Sequence, residues 1–410
     1  MKQNIIHRIL RRFTYLKSSV IYQFSQEIIY SWILKAFSHF FPSKIDNKLI
    51  ILSSIGGNAF VDNTKYIFKY LVKHTRYKVV WITKSDEDYN KLSKEGYNVE
   101  HKFTLQTIKL LRRAKFIFTT HGMLDILPIK LSPKTIFVLT WHGVQNKRNS
   151  SEHGPIKYTK WARYFKLSID NNNFIDYFIT PSGTRKDKRL IMNYFQITPD
   201  KIITTGYPRN DILFSKDPNL NRDLRNRFEI PNEIERIILY APTFRDNLLT
   251  AKFPLTKSEL IDLNNLMKDT NSILIMKAHM AEQTIEFKSL SNIKKAPQNA
   301  DIQELLYITN ILITDYSSVY CDFLLLNRPI ILFTYDYDHF MKYGRGFYYN
   351  FKEIAPGPLI FTTKELFNAI VNISKINENY EARRIKTRKI YHKYVDGKST
   401  ERLLKFLKII

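Results

Sequence analysis

"ILITDYSSVYCDFLLLNRPIILFTYD", residues 311–336, decides the fold. Ile311, Leu312 and Ile313 are apolar in succession, the pattern of a strand covered on both faces. Polarity arrives abruptly at Thr314-Asp315-Tyr316-Ser317-Ser318. A second apolar stretch follows, breaks at Asn327-Arg328-Pro329, and leads into a further apolar run that closes on Tyr335-Asp336. Strand, polar turn, helix, break and strand describe a parallel β-α-β unit. The spacing predicts a strand ending at Thr314 and a helix starting near Ser317.

The same rhythm runs along most of the chain. Short apolar runs end in Gly, Ser, Thr or His: "LIILSS" (49–54), "YKVVWITKS" (77–85), "KFIFTTHG" (115–122), "TIFVLTWHG" (135–143) and "YFITPSGT" (177–184). Segments of helical character lie between them, such as 63–74 and 104–113. Residues 214–236 interrupt the rhythm with polar and charged residues and two prolines. It resumes with "RIILYAPTFRD" (236–246), "SILIMKAHM" (272–280), the opening stretch and "RPIILFTYD" (328–336). Residues 364–410 read as helices. The expectation is an α/β protein with two Rossmann-like domains, 48–228 and 229–410, preceded by a distinct segment, 1–47.

Composition narrows the partners. Among 410 residues, 64 Lys and Arg face 38 Asp and Glu, a net charge of +26. Such an excess predicts an anionic partner: nucleic acid, an anionic membrane surface or a phosphate-rich substrate. No nucleic-acid module is recognisable and the basic excess is spread along the chain, which argues against nucleic acid. Cys321 is the single cysteine, so neither an internal disulfide nor a cysteine-based zinc site can form. No signal peptide or spanning segment is read. Ile5, Ile6, Ile9, Leu10, Phe13 and Leu16 recur at helical spacing among His7, Arg8, Arg11, Arg12 and Lys17. A basic amphipathic helix of this kind suits a membrane interface.

Ligands of parallel sheets bind beyond the carboxyl ends of the strands. Those positions hold His121-Gly122, Trp141-His142-Gly143, Ser182-Gly183, Thr243, Arg245, Lys277, His279 and Asp315 through Ser318. A helix start with two serines favours an anion, although Asp315 or Ser317 can equally serve as a cap. Gly143 permits close approach of a ligand to the backbone beside His142. Lys277 and His279 project the same way from an extended segment and suit a diphosphate. His121 is a third candidate histidine, while His153 and His339 fall in polar loops. In "TGYPRNDIL" (205–213), Arg209 suits bidentate phosphate contact, the alternative being a turn held by Arg209 and Asp211.

In order, "TWHG", "GYPRNDIL", "YAPTFRD", "KAHM", the opening stretch and "RGFYYNFKEIAPGP" resemble the CDP-glycerol glycerophosphotransferase family of teichoic acid and capsule synthesis. "GGNAFVDNTKYIFKYL" (56–71) and "DGKSTERLL" (396–404) add to a likeness covering roughly residues 48–405. The resemblance implies a GT-B architecture, two Rossmann-like domains facing across a cleft, with a membrane-associated N-terminal segment. It implies transfer of glycerol phosphate from CDP-glycerol to a hydroxyl of a lipid-linked glycan or glycerol-phosphate polymer. CMP would be released at the cytoplasmic face of a bacterial membrane.

On that resemblance His142 is the general base, and His279 stabilises diphosphate charge with Lys277 and Arg209. Ser317 and Ser318 hold phosphate, and Thr243, Asp301 and Glu304 contact cytidine or ribose. Gly143, Arg245, Asp315 and Asp322 join the donor side. No acidic pair suggests a protein-bound metal, and no cofactor beyond the CDP donor is expected. The chain departs from the family pattern at Val144-Gln145, where Thr-Pro usually follows Trp-His-Gly, at Phe244 and at Met280. Ribitol-phosphate transfer and nucleotide-sugar glycosyl transfer are the neighbouring readings.

Overall fold

The structure, a computed structural model, describes residues 44–148, 174–243, 254–277, 290–297, 299–343 and 346–410. The amphipathic segment, His153, Phe244, Arg245, His279 and Met280 lie outside the described residues. Among the described residues no helix is long and apolar enough to cross a membrane.

Packing divides the chain into two compact units. Of the described residues, one comprises those up to Phe60 with Arg76–Phe137; the other comprises those within Val61–Thr75 and Val138–Ile410. In the first, strands β1 (Asp46–Leu52), β2 (Lys78–Thr83), β3 (Val99–His101) and β4 (Ala114–Thr119) lie in the order β3-β2-β1-β4. β1 pairs in parallel with β2 and β4, and β2 with β3, with Ile50 level with Val79 on one side and Phe116 on the other. Leu49 to Leu52 are buried one after another, because crossover helices cover both faces. Thr104 starts the helix Leu105–Arg113 by accepting from the Thr107 N–H at 3.0 Å.

β5 (Ile136–Leu139) leads into the second unit, where it pairs with β6 (Tyr177–Thr180), which pairs with β7 (Ile202–Thr204). A six-stranded parallel sheet follows. β8 (Arg236–Tyr240), β9 (Ser272–Met276), β10 (Ile293–Lys295), β11 (Ile311–Thr314), β12 (Ile330–Phe333) and β13 (Leu359–Ile360) lie in the order β10-β9-β8-β11-β12-β13. Its core joins Ile238, Leu274, Ile313 and Ile331 to Leu263 and Met267 of the helix Lys257–Asp269 and to Leu366 and Ile370 of the helix Thr363–Val371. Both helices open on a Thr/Glu capping box, which satisfies their first N–H groups.

The opening stretch folds as read, with one shift. β11 ends at Thr314, and the helix begins at Val319, two residues beyond Ser317. Residues 214–236, where the rhythm pauses, contain the helix Leu220–Arg227. The mixed α/β architecture with two parallel sheets is Rossmann-like.

Candidate active site

The candidate base sits where β5 ends. Trp141, the residue before it, has φ +55°, a region that non-glycine residues rarely occupy. Its ring packs edge-on against Phe195 at 4.7 Å and lies 4.0 Å from the His142 imidazole. The aromatic cluster thus anchors one side of the histidine.

The backbone is held as well. Asn63 Nδ2 donates to the carbonyls of Thr140 (3.2 Å) and Trp141 (3.0 Å). Arg209 Nη1 donates to the His142 carbonyl at 2.7 Å, and the Tyr207 hydroxyl to the Gly143 carbonyl at 2.7 Å. Four consecutive carbonyls are therefore engaged by three side chains. Further on, Lys147 and Phe347 form an antiparallel bridge, and Tyr348 N donates to the Asn146 carbonyl at 3.1 Å. This explains why "RGFYYNF" belongs with "TWHG" although some two hundred residues separate them.

Arg209 does not stand at a turn tip. It is buried, 2.9 Å from Asp62 Oδ1 and 2.8 Å from Asp322 Oδ2, and its own N–H donates to Asn63 Oδ1 at 3.2 Å. Burial works against the guanidinium charge, but Asp322 and Asp62 more than offset it and hold the group protonated. Asp322 also accepts from Asn210 Nδ2 at 2.9 Å and Gln303 Nε2 at 2.8 Å. Asp211, the partner considered for Arg209, instead accepts from the Ser399 and Thr400 N–H groups, both at 2.8 Å, and starts the helix Ser399–Phe406. Gly206 fits this junction for a steric reason: at φ +87°, an added Cβ would lie 2.3 Å from Ser399 Oγ.

The phosphate-side candidates assemble where β8 and β11 end. Asp315 Oδ1 accepts from Thr243 N (2.7 Å), Thr243 Oγ1 (2.6 Å) and Ser317 N (3.1 Å). Asp315 thereby ties the two strand ends together. Ser317 Oγ accepts from Val319 N at 3.4 Å, and Ser318 O accepts from Cys321 N at 3.0 Å. Lys147 Nζ lies 3.5 Å from Thr243 Oγ1. A Cβ at Gly143 would meet Ser318 Oγ at 3.5 Å, an ordinary contact. The His142 loop and the serine pair are thus neighbours. Packing within the protein does not demand glycine at 143. The helix Val319–Phe323 has only five residues, and its dipole is correspondingly weak.

Lys277, at the end of β9, donates from Nζ to the Pro297 carbonyl at 3.1 Å. Asp301 and Glu304 are both buried and face Lys65. Its Nζ lies 2.5 Å from Asp301 Oδ2 and 3.0 Å from Glu304 Oε1. Tyr66 OH donates to Asp301 at 3.0 Å, and Arg227 meets Glu304 at 2.8 Å. Burial opposes ionisation of Asp301, but Lys65 reverses the balance and lowers its pKa. Val144 and Gln145, the departures beside His142, are both buried. His339 is exposed on the helix Tyr337–Tyr343.

His121 belongs to the first unit. Its Nδ1 lies 2.8 Å from Thr120 Oγ1 and 3.7 Å from Asp125 Oδ1. Sequence reasoning missed Asn63, Tyr207, Asn210 and Gln303 as supporting residues. Tyr207 and Asn210 lay inside "GYPRNDIL", and Asn63 inside "VDNTKY", a polar pair ahead of an apolar helix that reads as a cap.

The sequence profile of the family described as CDP-glycerol:poly(glycerophosphate) glycerophosphotransferase matches residues 33–408. A teichoic acid glycerol-phosphate transferase of Staphylococcus aureus is 30% identical over 374 residues, covering 88% of this chain and 93% of that protein. A teichoic acid poly(glycerol phosphate) polymerase of Bacillus spizizenii is 33% identical over 338 residues, covering 79% and 83%. Among solved structures, a wall teichoic acid polymerase TagF superposes with a TM-score of 0.79 at 23% identity, over 96% of this chain and 98% of that one, and shares the fold. The chain belongs to the CDP-glycerol:poly(glycerophosphate) glycerophosphotransferase family.

Proposed function

We propose that this glycerophosphotransferase moves glycerol phosphate from CDP-glycerol to a hydroxyl of a growing glycerol-phosphate chain or lipid-linked glycan, with His142 as general base. The acceptor oxygen attacks the phosphorus that bears glycerol. A new P–O bond forms, the diphosphate P–O bond to the cytidine side breaks, and CMP leaves. The acceptor proton passes to the His142 imidazole, a group suited to proton transfer near neutrality. Ser317, Ser318 and Lys277 receive the donor phosphates, together with Arg245 and His279. Catalysis of this kind works by positioning and charge stabilisation. The neighbouring serine pair gives the diphosphate a place beside the base.

The observation that supports the base assignment is the run of engaged carbonyls from Thr140 to Gly143, which fixes the backbone of a histidine at a strand end. The +26 charge and the basic N-terminal pattern support peripheral association with the cytoplasmic face of an anionic bacterial membrane.

The test is CMP release by purified protein from CDP-glycerol, CDP-ribitol and UDP-sugars, with and without a glycerol-phosphate oligomer. The expected result is CMP from CDP-glycerol in the presence of acceptor, lost in His142→Ala with the fold intact. Near wild-type turnover in that variant refutes the base assignment. Turnover of CDP-ribitol or a UDP-sugar instead refutes the donor.

A further inference from the structure

We infer that Arg209 and Tyr207 are positioning residues, which hold the His142 imidazole in place through the carbonyls of His142 and Gly143. This rests on His142 being the base. Three observations carry it. First, Arg209 is committed to the protein: Nη1 bonds Asp62 at 2.9 Å and the His142 carbonyl at 2.7 Å, while Nη2 bonds Asp322 at 2.8 Å. One positive charge faces two carboxylates, so the cluster does not attract a phosphate. Second, Tyr207 is buried, and its hydroxyl reaches the next carbonyl in the same loop at 2.7 Å. Third, the two ends of the network carry left-handed non-glycine residues, Trp141 at φ +55° and Asp62 at φ +64°. Such strain persists only where the surroundings over-determine it, and it concentrates where a side chain must be aimed. A buried guanidinium has the fork geometry to grip a carbonyl and two carboxylates at once.

The test compares Tyr207→Phe and Arg209→Lys in the full chain with CDP-glycerol and a glycerol-phosphate oligomer. Tyr207→Phe keeps the ring, so it reports even if the arginine variant does not fold. Turnover is expected to fall about a hundredfold for Arg209→Lys and about tenfold for Tyr207→Phe. The donor KM should stay within about twofold. In protein labelled at histidine Cε1, the His142 resonance, identified by its loss in His142→Ala, should move in both variants. Arg209 Nε has no hydrogen-bond partner in the described structure, so the KM arm carries weight. A donor KM raised with kcat intact makes Arg209 a donor ligand and overturns the inference. Unchanged turnover, or a stationary His142 resonance, overturns it too. The base assignment fails separately, through an active His142→Ala, and the resonance still reports whether the two residues aim the ring.

Discussion

In the first unit the loop after β1 is held by a carboxylate; in the second the loop after β5 is held by a guanidinium. Asp125, fully buried, gathers backbone N–H groups: Gly56 and Thr120 at 2.6 Å and His121 at 2.9 Å. Lys102 takes the opposite role there, donating to the Gly56 carbonyl at 3.0 Å and the Leu124 carbonyl at 2.6 Å. Three consecutive residues, Ile55, Gly56 and Gly57, sit at φ +46°, +67° and +83°. In the second unit Arg209 gathers a carbonyl and two carboxylates. Amide dipoles suffice to surround a buried carboxylate. A buried guanidinium beside carbonyls needs anions, and those anions bind the helix Asp62–His74 and the helix Val319–Phe323 into one network. The comparison teaches that the second loop is stabilised through ion pairs, whereas the first is stabilised by hydrogen bonds between a buried charge and neutral backbone groups.

The largest expected effect tests that difference. Asp322→Ala strands the buried Arg209 and the amides of Asn210 and Gln303, and should cost about 3–5 kcal/mol. Asp125→Ala strands neutral N–H groups and should cost about 2–3 kcal/mol. Urea midpoints measure both. A greater loss in Asp125→Ala would break the contrast.

The next effect comes from a buried carboxylate with neither arrangement. Asp187 accepts from Thr180 Oγ1 at 2.7 Å and has no ion pair among the described residues. Burial raises its pKa to about 6 from 3.8, with the Thr180 hydrogen bond pulling the other way. The folded state therefore binds the proton more tightly than the unfolded chain. The resulting stability is complete below the unfolded value and is lost as pH rises through about 6. Asp187→Asn should remove that dependence, changing its stability relative to wild type by about 2–3 kcal/mol between pH 4 and pH 7.5 on the ordinary conversion. Parallel urea curves at those two pH values sharpen the comparison; an unchanged difference would remove Asp187 from it.

The smallest effect concerns strain itself. Ile55 is left-handed and 40% exposed, so little packing rewards its side chain. Ile55→Gly should be neutral or stabilising by up to about 1 kcal/mol. At Trp141 the same relief is outweighed by the lost ring packing, so Trp141→Gly should destabilise. Thermal midpoints of the two variants moving in the same direction would show that strain and packing do not differ between the corners.

Much of this protein was legible in its residues. The nine apolar runs read as strands are all strands, because buried parallel strands need apolar side chains on both faces and need them locally. The strands missed were β3, β7, β10 and β13, each of two or three residues and each at a sheet margin. Such short edges carry too little sequence pattern to recognise and are defined by pairing to a neighbour. The clusters "TWHG" and "TDYSS" were visible because ligands meet strand ends.

What the residues did not show is the partner of each polar group. Arg209 and Asp211 stand two apart, yet Arg209 turns to Asp62 and Asp322 while Asp211 starts a helix nearly two hundred residues on. Asp301 and Glu304 face Lys65 across more than two hundred residues of sequence. By itself the sequence determined the α/β class, the family and the positions of its chemical groups, since periodicity and strand-end rules act over a few residues. Only the tertiary structure decided which charges are spent on one another, because a buried ion's partner is whatever the packed chain places within about 3 Å of it.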